Sequence, residues 1–130
     1  MHETGQRPLS PHLQIYRLPL TAKISILHRA TGALLFIGTL LISVILIIAA
    51  SGSEHWQSLH SILSSVPGKL LLLGLTFALY FHLCSGIRHL LWDIGKGFSP
   101  QATNRSNALI IIGSSILTLL TWFIAWSLNT

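Results

Sequence analysis

The stretch from Leu70 to Trp92, LLLLGLTFALYFHLCSGIRHLLW, constrains this chain more than any other. From Leu70 to Ile87 it holds no Asp, Glu, Lys or Arg. A helix of about 20 apolar residues crosses the ~30 Å hydrocarbon core of a bilayer. The stretch therefore reads as a membrane span. Within it His82, Ser85, Gly86 and His89 recur at i, i+3, i+4 and i+7, which is one stripe of a helix. An ionisable side chain inside a span is costly and marks a functional site by default. A histidine beside a residue without a side chain suits a large flat group. Haem fits, with the imidazole as axial ligand and Gly86 making room. The plainer alternative is a histidine that hydrogen-bonds a neighbouring helix on a small-residue packing face.

Composition agrees with a membrane setting. The chain is 51% hydrophobic and only 8% charged, where soluble domains carry roughly 25% charge. The expected class is an all-α integral membrane protein with three transmembrane helices, part of a multi-subunit helix bundle. The net charge of +5 would suggest nucleic acid in a soluble chain. Here the cations stand at span ends and in short connections, so they set topology and no nucleic-acid partner is expected. Cys84 is the one cysteine, which excludes an internal disulfide and a Cys-ligated cluster. It reads as a small packing residue. Residues 1–20 lack the apolar run of a signal peptide and the composition of an organelle transit peptide.

In chain order, residues 1–20 are polar and carry Pro8, Pro11 and Pro19, so they read as an extended inner-side arm. Residues 21–130 form the three-span anchor, with spans at about 21–50, 69–92 and 107–128. The first span opens with TAKISILHRATG, in which Ser25, His28, Arg29 and Gly32 share a face. Basic residues at a span mouth can simply snorkel to headgroups, but Ser25 and His28 beside Arg29 make a polar ligand site. Ser51 and Glu54 fit a capping box for a short helix carrying Trp56, Leu59 and Leu63. His55 and His60 read as solvated. Pro67-Gly68 and Pro100 punctuate the approaches to the second and third spans. Asp93, four residues after His89, is placed to pair with His89 or Arg88. Gly113, Ser114, Ser115 and Thr118 give the third span a small-residue packing surface, and Trp122 and Trp126 suit its far interface.

Arg7, Arg17, Lys23 and Arg29 precede or open the first span. Arg88, Lys96 and Arg105 flank the second connection, and the first connection holds none before Lys69. Positive-inside logic puts the N-terminus in the cytoplasm and the C-terminus outside. Ser25, His28 and Arg29 then share a depth with Arg88, His89 and Asp93. His82 lies deeper by roughly 10 Å at 1.5 Å per residue, about the reach of a haem from iron to carboxylate. On this reading His82 binds iron, and His28, Arg29 and His89 face the propionates. This chain offers no second histidine at the depth of His82, so a six-coordinate iron needs one from another chain.

Two motifs, RPLSPHLQIYRLPLTAKISILHRATG from Arg7 to Gly32 and HLCSGIRHLLWD from His82 to Asp93, resemble the cytochrome b membrane-anchor subunits of succinate dehydrogenase, complex II. The resemblance extends to length and three-span layout. It implies that His82 is the haem b ligand, with the second ligand from a smaller anchor subunit. It implies that Ser25 and Arg29 line a ubiquinone site, and that His28 and Arg29 contact the propionates. FAD and iron–sulfur clusters would belong to a flavoprotein and an iron–sulfur subunit docked on the inner side, with no dehydrogenase site in this chain. The implied place is a bacterial inner membrane in preference to a mitochondrial one. Two other classes stay open: the anchor of a related fumarate reductase, and a non-redox membrane packing or assembly protein.

Overall fold

A computed structural model describes residues 16–128. Four helices occur among them: α1 (Leu20–Ala50), α2 (Ser53–Ser64), α3 (Val66–Asp93) and α4 (Pro100–Ser127). The arm residues Arg7, Pro8 and Pro11 lie outside the described part. Helices α1, α3 and α4 are each long and apolar enough to cross a membrane. Hydroxyl groups inside them bond back to their own helix, as in Thr39 to Leu35 O at 2.9 Å, Thr76 to Leu72 O at 2.7 Å and Thr118 to Ser114 O at 2.7 Å. These three hydroxyls are thereby satisfied without water, the condition for placing them in hydrocarbon; the buried Ser85 hydroxyl in α3 has no such partner.

The starts of α3 and α4 differ from the sequence expectation. Both begin earlier, because Pro67 and Pro100 stand in the first turn and do not precede it. A first-turn proline loses no hydrogen bond, since its missing N–H would have had no helical partner. Ser65 and Ser99 cap these turns, accepting from Gly68 N at 3.3 Å and Ala102 N at 3.2 Å. The expected Ser51–Glu54 capping box does not form. Ser51 ends α1, and its hydroxyl donates to Ile48 O at 2.8 Å. Gly52, at φ 125°, turns the chain, and α2 begins at Ser53.

Helices α1 and α3 are antiparallel, with Gly38 against Leu75 and His28 against His82. Helices α3 and α4 are antiparallel as well. Their register is set by Tyr80 on Thr121 at 2.7 Å, Gly113 beside Cys84, and Arg88 on Asn107. The core is small: Ile24, Phe81 and Ile110, with Cys84 packed against them. Ser114 and Thr118 are buried along with it, which is the close small-residue packing expected of the third span. This layout brings the start of α1, the end of α3 and the start of α4 to one end of the bundle.

Candidate functional site

Three histidines from two helices form a ladder at that end. The His28 ring stacks on His82, with centroids 4.1 Å apart and planes 15° apart, and on His89 at 4.9 Å and 30°. His89 in turn meets Trp92 edge-on at 5.2 Å. Seven residues of α3 keep His82 roughly 10 Å from His89 along the helix, and the His28 ring lies between them. His28 reaches over Gly86, where an added Cβ would lie 3.9 Å from its Cε1, and touches both α3 histidines. Gly86 lies between His82 and His89 on the same stripe, and the α1 ring passes it at ordinary contact distance.

The glycine that receives His82 is Gly32. A Cβ there would come within 2.9 Å of His82 Cε1. His82 Nδ1 lies 3.1 Å from the His28 backbone oxygen and 3.4 Å from Thr31 Oγ1. A carbonyl oxygen only accepts, so Nδ1 carries the proton and donates. In the neutral ring Nε2 then keeps its lone pair. Metal-ligating histidines are commonly held this way, with the second nitrogen donating to a backbone carbonyl. His28 Nδ1 is buried without a hydrogen-bond partner. The histidine pair therefore fits a haem: a nitrogen lone pair on a fixed, half-buried ring, and a second ring with an unused polar atom. Thr31 is not marked by any motif of the sequence. Its signal was its position three residues after His28, on the same face.

Ser25 is half-buried and Arg29 exposed. Arg29 Nε reaches back to the Ser25 backbone oxygen at 3.4 Å, so the guanidinium lies along the edge of α1 that carries the Ser25 hydroxyl. Arg88 has no such exposed position. It is buried, donates Nη1 to Asn107 Oδ1 at 2.7 Å, and lies over the Trp92 ring at 4.6 Å. Asn107 completes the link by donating Nδ2 to Thr21 Oγ1 at 2.9 Å. The pairing of Asp93 with His89 or Arg88 is not formed. Asp93 is exposed and makes no ion pair among the described residues, because Arg88 turns inward to the amide of α4. The sequence marks Asn107 only as the first residue of a span, and nothing in one sequence reveals a contact that needs three helices.

Comparison with known proteins agrees with this architecture. The family model for the succinate dehydrogenase/fumarate reductase transmembrane subunit matches residues 3–121. The succinate dehydrogenase cytochrome b556 subunit of Rickettsia felis is 39% identical over 118 residues, covering 91% of this chain and 92% of the relative. That of Paracoccus denitrificans is 41% identical over 117 residues, 90% of each chain. The mitochondrial cytochrome b560 subunit of Dictyostelium discoideum is 32% identical over 128 residues, 95% of this chain and 65% of the relative. With three apolar helices long enough to span and a family match over most of its length, the chain belongs to the succinate dehydrogenase/fumarate reductase transmembrane subunits.

Proposed function

We propose that this chain is the haem b-binding anchor of a succinate:quinone oxidoreductase in a bacterial inner membrane, serving electron transfer to ubiquinone. Residues 21–130 are the anchor and residues 1–20 an inner-side arm. The observation that carries the reading is the His82 hydrogen bond to the His28 carbonyl, which leaves Nε2 as the free nitrogen. His82 would hold the haem iron through Nε2, with the His28 carbonyl and Thr31 fixing its tautomer and Gly32 giving its ring room. When bound, the haem supplies a one-electron redox centre. His28, Arg29 and His89 are the residues for its carboxylate side, where imidazole N–H and guanidinium donors suit anionic oxygens.

Ser25 and Arg29 are the quinone donors. A quinone oxygen gains negative charge as it is reduced, and a hydroxyl and a guanidinium already in place stabilise that charge without reorganising. Lys23, Arg29, Arg88, Lys96 and Arg105 gather at the end where α1 starts, while Lys69 stands at the other. That asymmetry supports a cytoplasmic N-terminus and an external C-terminus. The iron–sulfur and flavoprotein subunits, with their clusters and FAD, dock at the cytoplasmic end, and succinate is oxidised there and not in this chain. A smaller anchor subunit shares the haem.

The test is His82→Ala in the assembled complex. The reduced-minus-oxidised spectrum should lose its low-spin haem signal while succinate-driven reduction of a soluble dye persists. An unchanged low-spin spectrum would remove His82 from the iron.

A further inference from the structure

The end of the bundle holds a second cluster that the haem and quinone readings leave unused. A cavity of about 370 Å³ opens where the end of α3 meets the start of α4. Arg88, Lys96 and Arg105 stand in its wall, and no acidic side chain lines it. Arg88 is only 3% exposed, yet its one hydrogen bond goes to a neutral amide oxygen, and its Nε and Nη2 are buried without partners. A buried cation is costly unless an anion stands nearby. Asp93, the acid closest in sequence, is not in the wall.

The surroundings say what kind of anion fits. Below the cationic cavity, and sharing Arg88, Leu91, Ser106 and Leu109 with it, runs a second cleft of about 210 Å³ between the same helices. Its remaining wall is Cys84, Ile87 and Ile110, and it is almost wholly apolar. Leu91 and Leu109 are 45% and 70% exposed, so the cleft is open along its side. Trp92, in the upper wall, is a residue type enriched at the headgroup boundary. A cationic pocket above an apolar cleft, at the end of two spans, is complementary to one amphiphile.

We propose that the α3–α4 junction binds an anionic glycerophospholipid, its phosphate among Arg88, Lys96 and Arg105 and an acyl chain in the cleft beneath. Lys96 and Arg105 are exposed and make the first charge contacts. Arg88 is the fixed cation at the back, held by Asn107 and Trp92. The inference rests on the membrane setting of this end and not on the haem or quinone assignments, and its readout is lipid and not activity.

The experiment uses the whole complex, purified in detergent and incubated with equal amounts of phosphatidylglycerol and phosphatidylcholine of the same chain length. Native mass spectrometry should show phosphatidylglycerol retained in preference. The K96Q/R105Q double variant should retain about thirtyfold less, since each basic residue near a lipid surface contributes about fivefold in affinity. Both positions are exposed, so packing is not disturbed. In the unmutated complex, a photoactivatable phosphatidylglycerol should label peptides between Cys84 and Ile110, which decides the matter even if the variant fails to assemble. Equal retention of phosphatidylcholine, undiminished retention by an assembled variant, or labelling elsewhere would overturn the proposal. Inorganic phosphate displacing the lipid at equal concentration would also overturn it, as would a cross-link from Lys96 or Arg105 to a partner subunit's carboxylate, since the pocket would then serve a small anion or a protein.

Discussion

A methyl group added at Gly32 and one added at Gly86 differ by 1 Å in what they meet, and the consequences should differ sharply. At Gly32 the new Cβ meets His82 Cε1 at 2.9 Å, so the imidazole has to move. At Gly86 it meets His28 Cε1 at 3.9 Å, an ordinary contact. Gly32→Ala should therefore shift or weaken the haem spectrum of the complex, while Gly86→Ala leaves it near wild type. The reverse order would mean that Gly86, and not Gly32, sets the space beside His82. Ser25 and Arg29 differ in another way. A hydrogen bond to a charged group is worth about 1.5–3 kcal/mol and a neutral one about 0.5–1.5. Arg29→Leu should slow quinone reduction more than Ser25→Ala, by about tenfold. Dye reduction should hold in both. Equal loss of dye and quinone activity would assign these residues to assembly.

Among elements, Asn107 does more than its place on an apolar span suggests. It is fully buried and ties α4 to Arg88 of α3 and to Thr21 of α1 through its two amide atoms. Asn107→Leu strips both bonds and leaves Arg88 Nη1 without its acceptor. Hydrogen bonds between membrane helices are worth about 0.6 kcal/mol on average, and orphaning a buried charged group costs more. We expect a lower thermal midpoint for the assembled complex, measured by loss of succinate-driven quinone reduction after heating. Thr21→Val, which removes one neutral partner, should have a smaller effect. Equal midpoints for Asn107→Leu and wild type would show that the network is decorative. The proline turns teach a related point. Pro67 and Pro100 look like breaks in a sequence, but each stands in the first turn of a helix that a serine caps.

For the molecule as a whole, most of the apolar surface has no cover within the chain. Only 6% of the most apolar stretch of α1 is buried, against 17% in α3 and in α4. His28 and His82 present ring faces to each other, not nitrogens, so His28 does not stand as an opposing ligand to His82. Expressed alone, this chain should form no low-spin bis-histidine haem. Co-expression with a second anchor subunit that brings its own membrane histidine should restore the signal. A monomer with a low-spin spectrum would refute this.

The sequence alone determined the three spans, their order, the stripe of His82 and His89, and the facing group of Ser25, His28 and Arg29. These are local matters: apolar length sets a span, and a period of 3.6 residues sets a face. Tertiary structure decided what each face meets. The stacking of His28 between His82 and His89, the close approach of His82 to Gly32, and the turn of Arg88 from Asp93 to Asn107 all depend on the distance and register between helices. Register comes from close packing of small residues such as Gly38, Gly113 and Ser114 against another helix, and one helix's sequence does not contain its neighbour's position.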